Sequence, residues 1–219
     1  MEAKPKSVSE ILPKVLTDLR EPTTKAQPSP TIIKRFKKLA RFETLGEESL
    51  IKFLEAAASF IASVNFTRPY WLILSAKSGC GKTLLARAIY RQFMEQNRFE
   101  LSYDRDRNRI QGNTAMFVDW RKFCDHVRGG AYELIEDLCD EWFVIIDDLG
   151  AERDTTGFIA SATDRILNSR RDRWTLITTN LPLSEIGERI DPRVASRMIR
   201  GDNQFVEIET IDWNLRSQP

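Results

Sequence analysis

Five short apolar runs punctuate the chain: 71–75 (WLILS), 115–119 (AMFVD), 143–147 (FVIID), 175–179 (TLITT) and 205–208 (FVEI). The central runs are apolar at nearly every position, which predicts strands covered on both faces rather than strands with one wet face. Stretches of helical spacing separate them, at 83–94, 132–139 and 156–170. Strands that alternate with helices predict an α/β fold around a parallel sheet. Ahead of the first strand, Leu50, Ile51, Leu54, Ala57, Ala58, Ile61 and Val64 mark one apolar face. They predict a core-packing helix from Glu47, opened by Thr44 or Gly46.

The pattern weakens toward the N-terminus. Ile11, Val15, Leu16 and Leu19 fit a short amphipathic helix with Pro13 in its first turn. Such a helix either docks a partner or folds back on the core. Residues 21–31, EPTTKAQPSPT, hold three prolines and read as a linker. No internal repeat is evident. The expected organisation is an arm and linker over residues 1–41 and a single α/β domain over 42–219.

Composition changes this picture little, and charge changes it more. Of the 219 residues, 42% are hydrophobic and 30% charged, a balance that excludes collagenous, low-complexity and fully disordered classes. No apolar run reaches the ~18–20 residues of a membrane span, and the opening MEAKPKSVSE lacks the apolar segment of a secretory signal. Three cysteines (Cys80, Cys124, Cys139) and one histidine (His126) give neither a disulfide framework nor a zinc pattern. A cytoplasmic setting is the expectation. The net charge of +1 hides an asymmetry, because residues 1–41 carry ten basic and four acidic side chains. A basic arm on a mildly acidic body suits an acidic partner, nucleic acid or protein, or is a solvated tail.

The first strand runs into Ala76-Lys77-Ser78-Gly79-Cys80-Gly81-Lys82-Thr83 and then a helix beginning at Leu84. Strand, glycine-rich loop and helix form the context that a phosphate-binding loop requires. The glycines let successive N–H groups turn toward one centre. The helix N-terminus adds its unpaired donors and positive dipole. Lys82 is placed to reach β- and γ-phosphates, and the Thr83 hydroxyl to hold Mg²⁺. Ala76 stands where the stricter pattern has Gly, and it is harmless there if its φ is negative.

The third run ends in Asp147-Asp148-Leu149-Gly150, 65 residues beyond Lys82. An apolar strand ending in two acids is a Walker B arrangement. Asp147 would hold Mg²⁺, usually through water, and Asp148 would orient or deprotonate an attacking water. The fourth run ends in Thr178-Thr179-Asn180, and Asn180 would reach the γ-phosphate side. In Asp191-Pro-Arg-Val-Ala-Ser-Arg, Arg193 and Arg197 are four apart, on one helix face. They suit either surface ion pairs or completion of a phosphate site in trans.

Together, GxGKT, FVIIDDLGAE, TLITTNLP and IDPRVASRM resemble the AAA+ ATPases of the DnaC/DnaI helicase-loader group and the related IstB transposition helpers, over roughly residues 42–216. The resemblance implies a P-loop three-layer sandwich with a five-stranded parallel sheet. It implies ATP with Mg²⁺ as ligands and ATP hydrolysis between subunits of a homo-oligomer formed in the ATP-bound state. It assigns residues 76–83 with Leu84 to nucleotide binding, Thr83 and Asp147 to the metal, and Asp148, Asn180 (sensor 1) and Arg197 (the arginine finger) to catalysis. Arg193 becomes the nearby second arginine and Arg216 a sensor 2 arginine. Only 22 residues follow Arg197, so the helical lid is expected to be absent or vestigial. The implied partner is a replicative hexameric helicase, or a transposase on the IstB reading. A nucleotide-gated adaptor with little hydrolysis is the third alternative. Members of the group carry a helix–turn–helix wedge between strands two and three, where Arg121, Lys122 and Arg128 are candidate contacts to single-stranded DNA. Acids at Glu133, Glu136, Asp137 and Asp140 keep that reading open. Residues 103–110, of alternating sign, read as a solvated loop.

Overall fold

A computed structural model describes residues 30–40, 42, 44, 47–64, 67–97, 102–104, 109–111, 114–152, 154 and 156–209. The helix forecast at 11–19, Arg216, and linker residues 21–29 lie outside the described residues.

Two helices precede the sheet, α1 (Pro30–Ala40) and α2 (Glu48–Ser63). Then follow β1 (Trp71–Ser75), α3 (Lys82–Asn97), β2 (Ser102–Asp104), β3 (Arg109–Gln111), β4 (Ala115–Asp119), α4 (Trp120–Arg128) and α5 (Glu133–Asp140). The chain continues through β5 (Phe143–Leu149), α6 (Phe158–Ser169), β6 (Trp174–Thr179), α7 (Leu183–Arg189), α8 (Pro192–Met198) and β7 (Gln204–Glu207). Strands β4-β5-β6-β1-β7 form one parallel sheet in that order. All five runs read as strands are the strands of this sheet, with ends displaced by two residues or fewer.

Alternation along each strand divides the core into two layers. Leu72, Leu74, Ile145 and Leu176 face a cluster built with α1, α2 and α3. Trp71, Ile73, Val144, Ile146 and Ile177 face a second cluster built with α4 to α8. Helices on both faces explain why β1, β5 and β6 need almost continuous apolar sequence.

Three expectations change. Pro30 and Thr31, read as linker, open α1, where proline's missing N–H costs nothing in a first helical turn. Phe36 of this helix is buried in the core, so the last part of the basic arm packs on the body. The stretch 103–110, read as a solvated loop, instead contributes both of its ends to an antiparallel ribbon in which 102–104 pair with 109–111. The cap position of α2 is Glu47 rather than Thr44, and the Glu47 N–H donates to the Thr44 carbonyl at 2.7 Å; Gly46 lies outside the described residues.

One buried cation ties the far ends of the elements together. Arg170, after α6, has no exposed surface. Its Nε donates to Thr175 Oγ1 at 3.0 Å, and its terminal nitrogens donate to the carbonyls of Leu138 (2.6 Å), Glu141 (2.9 Å) and Trp174 (2.7 Å). Burial, with a lesser push from the Arg173 charge, pulls its pKa down to about 9, which leaves it charged at neutral pH. It closes the C-terminal end of α5, where carbonyls otherwise lack partners. Arg170→Ala should cost about 3 kcal/mol of unfolding free energy, because several buried acceptors lose their donors at once. Arg170→Lys, with fewer donors and no planar fork, should recover only part of it. Urea denaturation checks both; a loss below about 1 kcal/mol in Arg170→Ala would contradict this role.

Candidate functional site

The site lies at the C-terminal ends of β1, β5 and β6. In an open parallel sheet this edge has the crevice where connections leave in opposite directions. Here β1 joins the order between β6 and β7, so its loop rises beside the tips of β6 and β5.

The β1–α3 loop turns through Gly79 at φ 79° and Gly81 at φ 90°, a left-handed backbone that only glycine adopts without strain. Asp148 is the one non-glycine with positive φ among the described residues. Ala76 therefore has ordinary backbone geometry, as its presence in a glycine position required. Gly81 is constrained twice, since an added Cβ would lie 2.7 Å from Phe42 Cε2. Phe42 is buried and follows α1, so the N-terminal segment packs directly on the loop.

Lys82 opens α3 with its ammonium nearly buried. Its Nζ donates to the carbonyls of Ala76 (2.6 Å) and Lys77 (2.9 Å) and to Asn180 Oδ1 (2.9 Å). Burial lowers its pKa, opposed by nearby Cys80, Asp148 and Asp147. The amide of Asn180 donates from its other end to Asp148 Oδ1 at 2.6 Å. Lys82, Asn180 and Asp148 thus form a continuous chain across the mouth of the crevice. Burial first, and the charge of Asp147 second, raise the Asp148 carboxyl; Lys82 and Asn180 pull the other way.

Asp147 anchors a second chain. Its Oδ1 accepts from Thr83 Oγ1 at 3.1 Å and from Thr178 Oγ1 at 2.6 Å. Gly150, at φ 88°, completes the turn after the acids. A Cβ there would fall 2.4 Å from Leu181 Cδ1, so the Gly of DDLG is required by close approach as well as by φ. Ser78 and Lys77 are exposed in the loop, Cys80 is buried, and Leu84 is exposed on the first turn of α3.

The two arginines of α8 part company. Arg193 is exposed and pairs with the cap residue Asp191 at 3.4 Å. Arg197 is not exposed as its spacing suggested. Its guanidinium is largely covered and paired with Asp164 of α6. On the α4–α5 hairpin, Arg121, Lys122 and Arg128 are exposed. Lys122 and Arg128 face Asp119 (3.6 Å) and Asp125 (3.2 Å), each one turn earlier. His126 is exposed beside them.

Sequence reading passed over Thr178, Phe42 and Asp164. Thr178 sits in a run that a β-branched residue joins for strand propensity alone. Phe42 is a single aromatic between charges, and nothing in the spacing paired Asp164 with Arg197.

No family model matches the chain, and no curated protein matches it by sequence. Solved structures do match by shape. The DnaC helicase loader superposes with a TM-score of 0.60 at 21% identity, over 80% of this chain and 99% of that one. DnaI gives 0.58 at 19% identity, over 80% and 92%. The chain shares the fold of these structures, a five-stranded parallel sheet with helices on both faces. The replication initiator DnaA bound to AMPPCP and single-stranded DNA shares this fold at a TM-score of 0.57 and 14% identity, over 84% of this chain and 51% of that one. Among the described residues, no helix is long and apolar enough to cross a membrane.

The loop geometry sets a direct test. Gly130, at φ 103°, has nothing within 4 Å of an added Cβ. Gly130→Ala should therefore cost only backbone strain, about 1–3 kcal/mol. Gly81→Ala should cost more, because the Phe42 ring must also move. Paired urea titrations compare them; equal losses would contradict tight packing of Phe42 on the loop.

Proposed function

We propose that this chain is an ATP-hydrolysing helicase loader. The observation that carries the reading is the convergence of five polar side chains on one crevice. Lys82 and Asp148 are each within 2.9 Å of Asn180, and Thr83 lies 3.1 Å from Asp147.

In this reading the loop amides of residues 76–83, with the first turn of α3 to Leu84, surround the triphosphate. Lys82 exchanges its carbonyl acceptors for β- and γ-phosphate oxygens. Thr83 and Asp147, one hydroxyl and one carboxylate, fit Mg²⁺, which takes few protein ligands and completes its shell with phosphate and water. Bound there, the ion would neutralise developing phosphate charge. Asp148 accepts a proton from the attacking water, and its raised pKa suits a general base. Asn180 fixes the carboxylate's orientation and then contacts the γ-phosphate.

Arg197 acts in an oligomer, exchanging Asp164 for a neighbour's phosphate, with Arg193 beside it. Residues 1–41 supply partner docking, and the α4–α5 hairpin contacts single-stranded DNA. The partner is a hexameric helicase, with a transposase as the alternative; the shape similarity to the DnaC helicase loader supports the first reading.

Asp148→Asn should abolish phosphate release while nucleotide still binds, since the carboxylate serves water rather than phosphate. Arg197→Ala should slow release on the order of 10³-fold. Mixing the two variants should restore some activity, because one interface type then holds an intact base and an intact finger. Undiminished release by Asp148→Asn would contradict its role, and no recovery in demonstrated mixed oligomers would contradict action in trans. Gel filtration with a hexameric helicase and, separately, with a transposase decides the partner.

A further inference from the structure

Strands β5 and β6 are in register from Phe143–Trp174 to Ile146–Ile177, and pairing resumes only at Leu149–Thr179. Two residues of β5, Asp147 and Asp148, therefore lie opposite one residue of β6, Thr178. That is a β-bulge, and bulges re-aim side chains next to sites. Asp148 carries the cost of it, at φ 65°. Outside this position the described chain confines positive φ to glycine.

Thr178 fills the gap that the bulge opens. It is buried, and its hydroxyl is used in both directions. It donates to Asp147 Oδ1 at 2.6 Å and accepts the Asp148 N–H at 2.9 Å. The donated bond fixes the Asp147 carboxylate on the side facing Thr83, which reaches the same oxygen. The accepted bond satisfies an amide that the irregular pairing removes from the ladder, where an orphaned buried N–H is costly. With Asp148 held at positive φ, its carboxylate turns toward Asn180.

We propose that Thr178 is a positioning residue that sets the direction of both acids through one hydroxyl. Asp147 is directed at the metal position and Asp148 at the water position. This rests on the proposed ATPase reading for its consequence and on the bulge alone for its geometry. Valine has the shape of threonine without the hydroxyl, and serine has the hydroxyl without the methyl.

The test uses the full chain with Thr178→Val and Thr178→Ser. Thr178→Val should bind ATP as the wild type does in EDTA. It should lose about tenfold or more of the tightening that Mg²⁺ gives, and its maximal rate of phosphate release should fall by more than its KM changes. Thr178→Ser should restore most of both. A nucleotide-free crystal structure of Thr178→Val should show Asp148 out of positive φ or its carboxylate turned from Asn180. Wild-type Mg²⁺ dependence and rate in Thr178→Val would overturn the proposal. So would a Thr178→Ser variant as defective as Thr178→Val, or an undisturbed bulge in the nucleotide-free structure. Failure of the wild type to bind ATP would overturn the ATPase reading instead, and the nucleotide-free structure would still decide the role of Thr178 in the bulge.

Discussion

The ammonium of Lys82 is held almost out of water, and the strand tips are arranged around that constraint. A buried charge must be matched by oriented oxygens. The Ala76 and Lys77 carbonyls supply two of them, because the loop folds back over its own helix start. Asn180 supplies the third from the neighbouring strand. Each acceptor also belongs to something else. The loop needs the left-handed glycines, and Asn180 needs Asp148 to hold its amide. Phosphate oxygens would meet the same demand of the same cation, which is what the proposed nucleotide site asks of Lys82.

The parallel sheet makes this arrangement possible at small distances. It puts the ends of β1, β5 and β6 side by side, so a loop, two acids and an amide from distant parts of the sequence share one crevice. The helices on both faces supply the burial that keeps the strand tips fixed. Arg170 closes the helical layer, on four acceptors from α5, β6 and their connections. Phe42 joins α1 to the loop, which couples the basic N-terminal segment mechanically to the proposed nucleotide site.

Much of the fold was legible because both signals that encode it are local. Continuous apolar runs of five residues, bounded by turns, mark strands buried on both faces, and Gly79, Gly81 and Gly150 mark turns that no other residue makes cheaply. The P-loop and the acid pair could be read for the same reason: each is contiguous. What escaped depends on partners distant in sequence. Thr178 looks like any strand threonine until the bulge in β5 is seen. Arg197 looks exposed until α6 brings Asp164 against it. α1 was lost in a proline-rich stretch, although Pro30 begins a helix rather than ending one, and its buried Phe36 stands among lysines and an arginine.

The central claim is that the crevice binds a nucleoside triphosphate through Lys82. Isothermal titration of ATP with Mg²⁺ into the wild-type chain and into Lys82→Ala tests it most directly. The expected result is saturable binding of one nucleotide per wild-type chain and none detectable in a folded Lys82→Ala variant. Equal affinity in the two proteins, or no binding by the wild type, would contradict it.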